Sequence, residues 1–112
     1  MKNSFGFIQD ILEHIHYIEG FLFEVSEEEL SRYKEKEFAV IRSIEVIGEV
    51  SKKVDENLKN KYNQIPWRKM AGFRDELIHD YNKVICEVIW LTAKEELPGL
   101  KVQLLQILED EQ

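Results

Sequence analysis

The sequence predicts an all-α fold, an antiparallel bundle of four to five helices. Three observations carry this. Apolar residues recur every three or four positions along most of the chain. Only two prolines and five glycines interrupt its 112 residues, which favours long helices over a many-turned β fold. No stretch alternates apolar and polar residues long enough to compete as a strand. Hydrophobic residues make up 44% of the chain and charged residues 33%, enough for one core under a solvated helical surface. The length suits a single domain over residues 1–112.

The first helix is expected from Ser4 to about Phe23, because Phe5, Ile8, Ile11, Leu12, Ile15, Ile18 and Leu22 form one apolar stripe. Ser26-Glu27-Glu28-Glu29 has the form of a capping box and opens either a short helix or the long second one. That second helix is expected over residues 31–54, with Phe38, Ile41, Ile44 and Ile47 inward and Val40 and Val50 partly so. Gly48 within it costs roughly 1 kcal/mol relative to alanine and would let another backbone come close. Asp55 to Ile65 is polar and reads as a loop. Pro66 suits the start of a third helix extending toward Asp80, with Trp67, Met70, Phe73 and Leu77 in helical register and Asn82 as its break. A fourth helix over Lys83–Glu96 would bury Val84, Ile85, Val88, Ile89 and Leu91. Pro98 opens a last segment striped by Leu100, Leu104, Leu105 and Leu108.

Composition excludes several classes. The lone Cys86 cannot form an internal disulfide and reads as a core residue. The N-terminus meets Asp10 and Glu13 too soon for a signal peptide, and the most apolar stretch, Phe38 to Val50, is broken by Arg42, Glu45 and Glu49. A cytoplasmic protein with no membrane partner is expected. The net charge of −7 argues against holding nucleic acid by charge alone. The charge is uneven, however: residues 1–58 carry −6, residues 59–83 carry +3 and residues 84–112 carry −4. His14 and His16 diverge by about 200° on a helix and make no metal pair. Glu45 and Glu49 lack the Glu-x-x-His partner of a di-iron site. No metal or cofactor is expected.

The basic segment holds Arg74-Asp75-Glu76-Leu77-Ile78-His79-Asp80-Tyr81. Arginine is a permanent cation whose planar fork fits a phosphate, and histidine can take and give a proton near neutral pH. RNA, unlike DNA, carries its own nucleophile in the 2′-hydroxyl. His79 would take that proton or protonate the leaving 5′-oxygen, and Arg74 would stabilise the charge on the phosphorane oxygens. Asp75, four residues before His79, would fix the imidazole tautomer. Arg74 and His79 stand about 140° apart on a regular helix. Either the helix ends near His79, or a second copy completes the site across a two-fold axis, so that two Arg/His pairs line one cleft. Each residue also has a plain structural reading: a surface arginine, a helix-terminal histidine, an i,i+4 pair and a core-edge tyrosine.

Arg74-x4-His79-x-Tyr81 resembles the Arg-x4-His-x-Tyr motif of the HepT-like toxins, small helical ribonucleases of the HEPN superfamily. Four further segments share the resemblance: Ile65-Pro66-Trp67-Arg68, Arg42-Ser43-Ile44-Glu45-Val46-Ile47-Gly48-Glu49, Glu87-Val88-Ile89-Trp90 and Leu97-Pro98-Gly99-Leu100. It covers residues 5 to 108. It implies a HEPN-like homodimeric helical fold and a metal-independent endoribonuclease toxin of a type VII-like toxin–antitoxin pair, acting on tRNA or mRNA. It implies Arg74 and His79 as the catalytic pair, supported by Asp75. It also implies a minimal nucleotidyltransferase antitoxin that transfers AMP from ATP to Tyr81, alone or within a larger hetero-oligomer. Asp75 departs from the asparagine common in the family: it keeps a polar partner near His79 but adds negative charge where phosphate must bind. The alternative is a non-catalytic helical module that docks a nucleotidyltransferase. Arg42, Glu45 and Glu49 form a polar stripe that reads as a salt network, or as support for the cleft from the second helix.

Overall fold

The computed structural model describes residues 3–79 and 85–111, with Glu76, Ile78 and His79 described by their backbone alone. The described residues form helices without a strand. In chain order these are α1 (Ser4–Phe21), α2 (Glu27–Arg32), α3 (Lys34–Ser51), α4 (Glu56–Lys61), α5 (Trp67–Ala71), α6 (Phe73–His79), α7 (Ile85–Leu91) and α8 (Leu97–Asp110), with a π-helical turn over Thr92–Glu96 between the last two.

The Asn3 side chain caps α1 by accepting from the Gly6 N–H at 3.0 Å. Ile8, Ile11, Ile15 and Ile18 are buried along its inner face, as their spacing predicts. Its N-terminus meets the far end of α3, where the Asp55 N–H donates to Ser4 Oγ at 2.9 Å. The C-terminal part of α1 meets the first turns of α8 through Lys101 and Glu19, 2.9 Å apart. Both neighbours therefore run antiparallel to α1. The capping box forms in both directions, Glu29 N–H to Ser26 Oγ at 3.1 Å and Ser26 N–H to Glu29 Oε1 at 3.2 Å. It starts the short helix α2, and α3 begins separately after Tyr33.

Several expectations give way. Phe38 is 63% exposed, and α3 instead buries Val40, Ile44, Ile47 and Ser51. The strict three-residue spacing of 38, 41, 44 and 47 drifts around a helix, leaving Phe38 about 180° from Ile47. The alternating four-three-four spacing of 40, 44, 47 and 51 holds one line. Residues 56–61, expected as loop, form α4, with Glu56 in its first turn and Lys59 and Lys61 in its last. The third helix is split at Gly72, whose N–H is shared between the Arg68 and Lys69 carbonyls, both 3.1 Å away.

Pro98 stands in the first turn of α8, the last segment it was expected to open. The π turn leads straight from α7 into α8, and the Leu97 N–H reaches back to the Thr92 carbonyl. The wider turn leaves room for a proline ring one residue later, where no N–H can be donated. On this rod Cys86, Ile89, Ala93, Leu97, Leu100, Leu104 and Ile107 face the core. Ile85, Leu91 and Leu105, expected inside, are 41%, 43% and 47% exposed. Asp80 as the end of the third helix, Asn82 as its break, Lys83 as the start of the fourth helix and Val84 as one of its buried residues all lie outside the described residues.

Candidate functional site

Gly48 sets the position of the site. A Cβ on it would stand 3.0 Å from the Met70 carbonyl oxygen, 3.7 Å from that of Ala71 and 3.8 Å from the Arg74 nitrogen. The missing side chain lets the α5–α6 junction lie directly on α3, the close approach its place in the sequence suggested. Met70 and Phe73 are buried beneath the junction, fixing the rotation of both short helices. Arg74 follows Phe73 and points away from the core, with half of its side chain exposed.

One turn of α3 supplies its neighbours. Arg74 Nε lies 3.8 Å from Glu45 Oε2, and Arg74 Nη1 lies 3.6 Å from Glu49 Oε1. Arg42 Nη1 lies 3.8 Å from the same Glu49 oxygen. Two guanidinium groups and two carboxylates therefore form one surface network, and the stripe read on the second helix is the flank of the Arg74 site. Sequence reasoning offered Arg42, Glu45 and Glu49 as a salt network or as support for the cleft; the contacts join both readings, since the network includes Arg74.

Asp75 is exposed on α6. The α6 backbone is described as far as His79, the last described residue before Ile85. The His79 side chain and the whole of Tyr81 lie outside the described residues. The described site is thus Arg74 with its α3 flank.

The tertiary structure also redistributes the basic segment. Lys61 Nζ meets Glu111 at 2.6 Å and Lys69 Nζ meets Glu96 at 2.6 Å, while Arg74 meets Glu45 and Glu49. Carboxylates from both acidic flanks thus fold back onto it. A cleft of about 280 Å³ between α5–α6 and the α7 rod is lined by Lys69, Phe73, Glu87, Leu91, Glu95 and Glu96 among others. Its carboxylates outnumber its single ammonium, which disfavours an anionic ligand there. Among the described residues no three His, Cys, Asp or Glu side chains converge as a metal-holding group, and no helix is long and apolar enough to cross a membrane.

A fold built of helices, with a half-exposed arginine set on a tight helix junction, is that of a small all-α protein. A family model described as "Ribonuclease HepT-like" matches residues 11–107, and the chain belongs to this HepT-like ribonuclease family. The chain is 45% identical to "Probable ribonuclease HepT" of Thermococcus cleftensis over 90% of its own length and 93% of the relative's. It is 40% identical to "Putative RNase MJ1216" of Methanocaldococcus jannaschii, covering 94% of this chain and 87% of the relative. A Caldanaerobacter subterraneus protein, "Putative RNase TTE0752", is 34% identical over 99% of both chains. No solved structure matches the chain significantly.

Proposed function

We propose that this single HEPN-like domain is a metal-independent endoribonuclease toxin. Family membership over residues 11–107, which include Arg74, His79 and Tyr81 in the expected spacing, is the observation that carries the reading. The exposed Arg74 guanidinium supports it, because a phosphate can approach it from solvent.

In this reading the RNA 2′-hydroxyl attacks the adjacent phosphorus and the bond to the 5′-oxygen breaks. His79 removes the 2′ proton or delivers one to the departing oxygen, and Arg74 stabilises the non-bridging oxygens as charge builds on them. The products are a 2′,3′-cyclic phosphate and a 5′-hydroxyl. Asp75 orients the imidazole. Two copies pair so that both Arg/His sets line one cleft, which answers the 140° spread of the pair on one helix. A minimal nucleotidyltransferase antitoxin silences the toxin: the Tyr81 oxygen attacks the α-phosphate of ATP, pyrophosphate leaves, and the anionic nucleotide on Tyr81 repels RNA.

The test is cleavage of labelled RNA by the purified chain with a chelator present. Arg74→Ala and His79→Ala should each lower the rate by about 10²-fold or more, and each should relieve the growth defect caused by the parent in cells. Variants as active and as toxic as the parent would remove the reading. Incubation with the antitoxin and ATP should add the mass of AMP to the parent and not to Tyr81→Phe.

A second reading has one observation in its favour. Arg74 already has two carboxylates within 4 Å, on a chain of net charge −7. A helical module that docks a nucleotidyltransferase without cleaving RNA would show AMP transfer and no cleavage in the same experiments.

A further inference from the structure

We propose that Glu45 and Glu49 are positioning residues that bracket the Arg74 guanidinium and hold it in the orientation that meets the scissile phosphate. The proposal rests on the ribonuclease reading above and names a part of its machinery on α3 that the Arg-x4-His-x-Tyr motif does not contain.

The argument is geometric. The two carboxylates are four residues apart, so they rise from one face of α3, one turn from each other. One lies beside Nε and the other beside Nη1, so both ends of the planar group are restrained. Glu45 is the more buried of the two, 24% exposed, and cannot swing freely into solvent. Their separations, 3.8 and 3.6 Å, exceed the roughly 2.7–2.9 Å of a charge-assisted hydrogen bond. The guanidinium N–H groups are therefore steered without being consumed, and remain available to phosphate oxygens. Arg42, 3.8 Å from Glu49, offsets part of the negative charge that would repel RNA. The same turn of α3 contains Gly48, against which the α5–α6 junction packs closely. Residues 45–49 thus meet both the junction that leads into Arg74 and its side chain. An arginine on an exposed short helix would otherwise sample many rotamers, and a preset guanidinium reaches the phosphorane without that reorganisation.

Two measurements test this. The first is steady-state cleavage of a labelled RNA oligonucleotide by Glu45→Gln, Glu49→Gln and the double variant, which keep side-chain size while removing charge. The expected result is a kcat about tenfold lower in the double variant with KM no higher than the parent's, because the lost group orients rather than attracts RNA. Glu28→Gln, which breaks the remote exposed pair with Arg32, should match the parent. A double variant whose kcat equals or exceeds the parent's would overturn the proposal and mark the two carboxylates as mere repulsion. The second measurement is NMR relaxation of the Arg74 Nε–H group without RNA. Order should be high in the parent and fall in the double variant; equal order in both would overturn the proposal whatever the kinetics. A parent no more active than Arg74→Ala would remove the ribonuclease reading, and the NMR comparison would then decide by itself whether Glu45 and Glu49 hold this side chain.

Discussion

Gly48 and Met70 approach so closely that a Cβ on the glycine would stand 3.0 Å from the Met70 carbonyl oxygen. The obstacle is backbone, which cannot rotate aside as a side-chain tip can. Gly48→Ala gains roughly 1 kcal/mol of helix propensity but incurs about 1–3 kcal/mol of overpacking. Net destabilisation and a displaced Arg74 are expected. Gly20 is the control, because nothing lies within 4 Å of a Cβ there. Gly20→Ala should stabilise the protein by up to about 1 kcal/mol. Denaturant melts of the two variants should move in opposite directions.

The rotated face of α3 gives a second contrast. Ile44 is 1% exposed and Phe38 is 63% exposed. Ile44→Ala should cost about 2–5 kcal/mol through a cavity in the core, while Phe38→Ala should change chain stability by less than about 0.5 kcal/mol. Urea unfolding distinguishes them, and similar losses would mean that Phe38 is packed after all.

The C-terminal end of α8 is tied to the residues after α4. Lys61 Nζ and the Tyr62 hydroxyl both donate to Glu111 Oε2, at 2.6 and 2.9 Å. Burial, followed by the Glu111 hydrogen bond, pushes the Tyr62 phenol up to about 12. The Lys61 hydrogen bond, followed by that of Tyr62, holds Glu111 below its ordinary 4.5. The Glu111 contribution is therefore present above pH 4.5 and is lost as pH falls through its lower folded value. The Tyr62 contribution is present below pH 10.0 and is lost as pH rises through about 12. The Tm difference between parent and Glu111→Gln should be open at neutral pH and should close in acid. A difference of equal size at both would show that this clasp does not contribute. Phenolate absorbance should report a tyrosine ionising near pH 12, and Tyr62→Phe should delete that step, while Tyr17, raised by its hydrogen bond to Glu13, stays.

Cys86 is 4% exposed, and its thiol points at the Glu27 carbonyl oxygen 3.6 Å away. Burial, then the charge of Glu37, pushes the thiol up, away from the reactive thiolate. Alkylation of the native protein should be slower than in urea by on the order of 10²-fold or more. A native rate close to the unfolded one would place the thiol at the surface.

Local chemistry was legible where neighbours in sequence are neighbours in space. The Ser26–Glu29 box, the isoleucine stripe of α1 and the buried Cys86 follow from spacing and residue type. Longer-range choices were not. Phe38, Ile85, Leu91 and Leu105 are apolar and lie in helical stretches, but which side of a helix faces inward depends on the partner helix. The helix at 56–61 is too polar to announce itself, and its carboxylate and lysines at opposite ends were its faint signal. Pro98 marks the start of α8, while the π turn that joins it to α7 was not anticipated. Of the proposed catalytic set, Arg74 can be seen in place with Asp75 beside it, while the His79 side chain and Tyr81 lie outside the described residues.

The sequence by itself determined most of the helices, much of the core and membership of the HepT-like ribonuclease family. Those depend on periodicity and residue identity, which survive in one dimension. Only the tertiary structure decided that a basic stretch would be met by carboxylates from both acidic flanks, and that Glu45 and Glu49 would stand beside Arg74. Coulombic neighbours are set by distance in space, and the α5–α6 junction lies this close to α3 because Gly48 presents no side chain to the Met70 carbonyl.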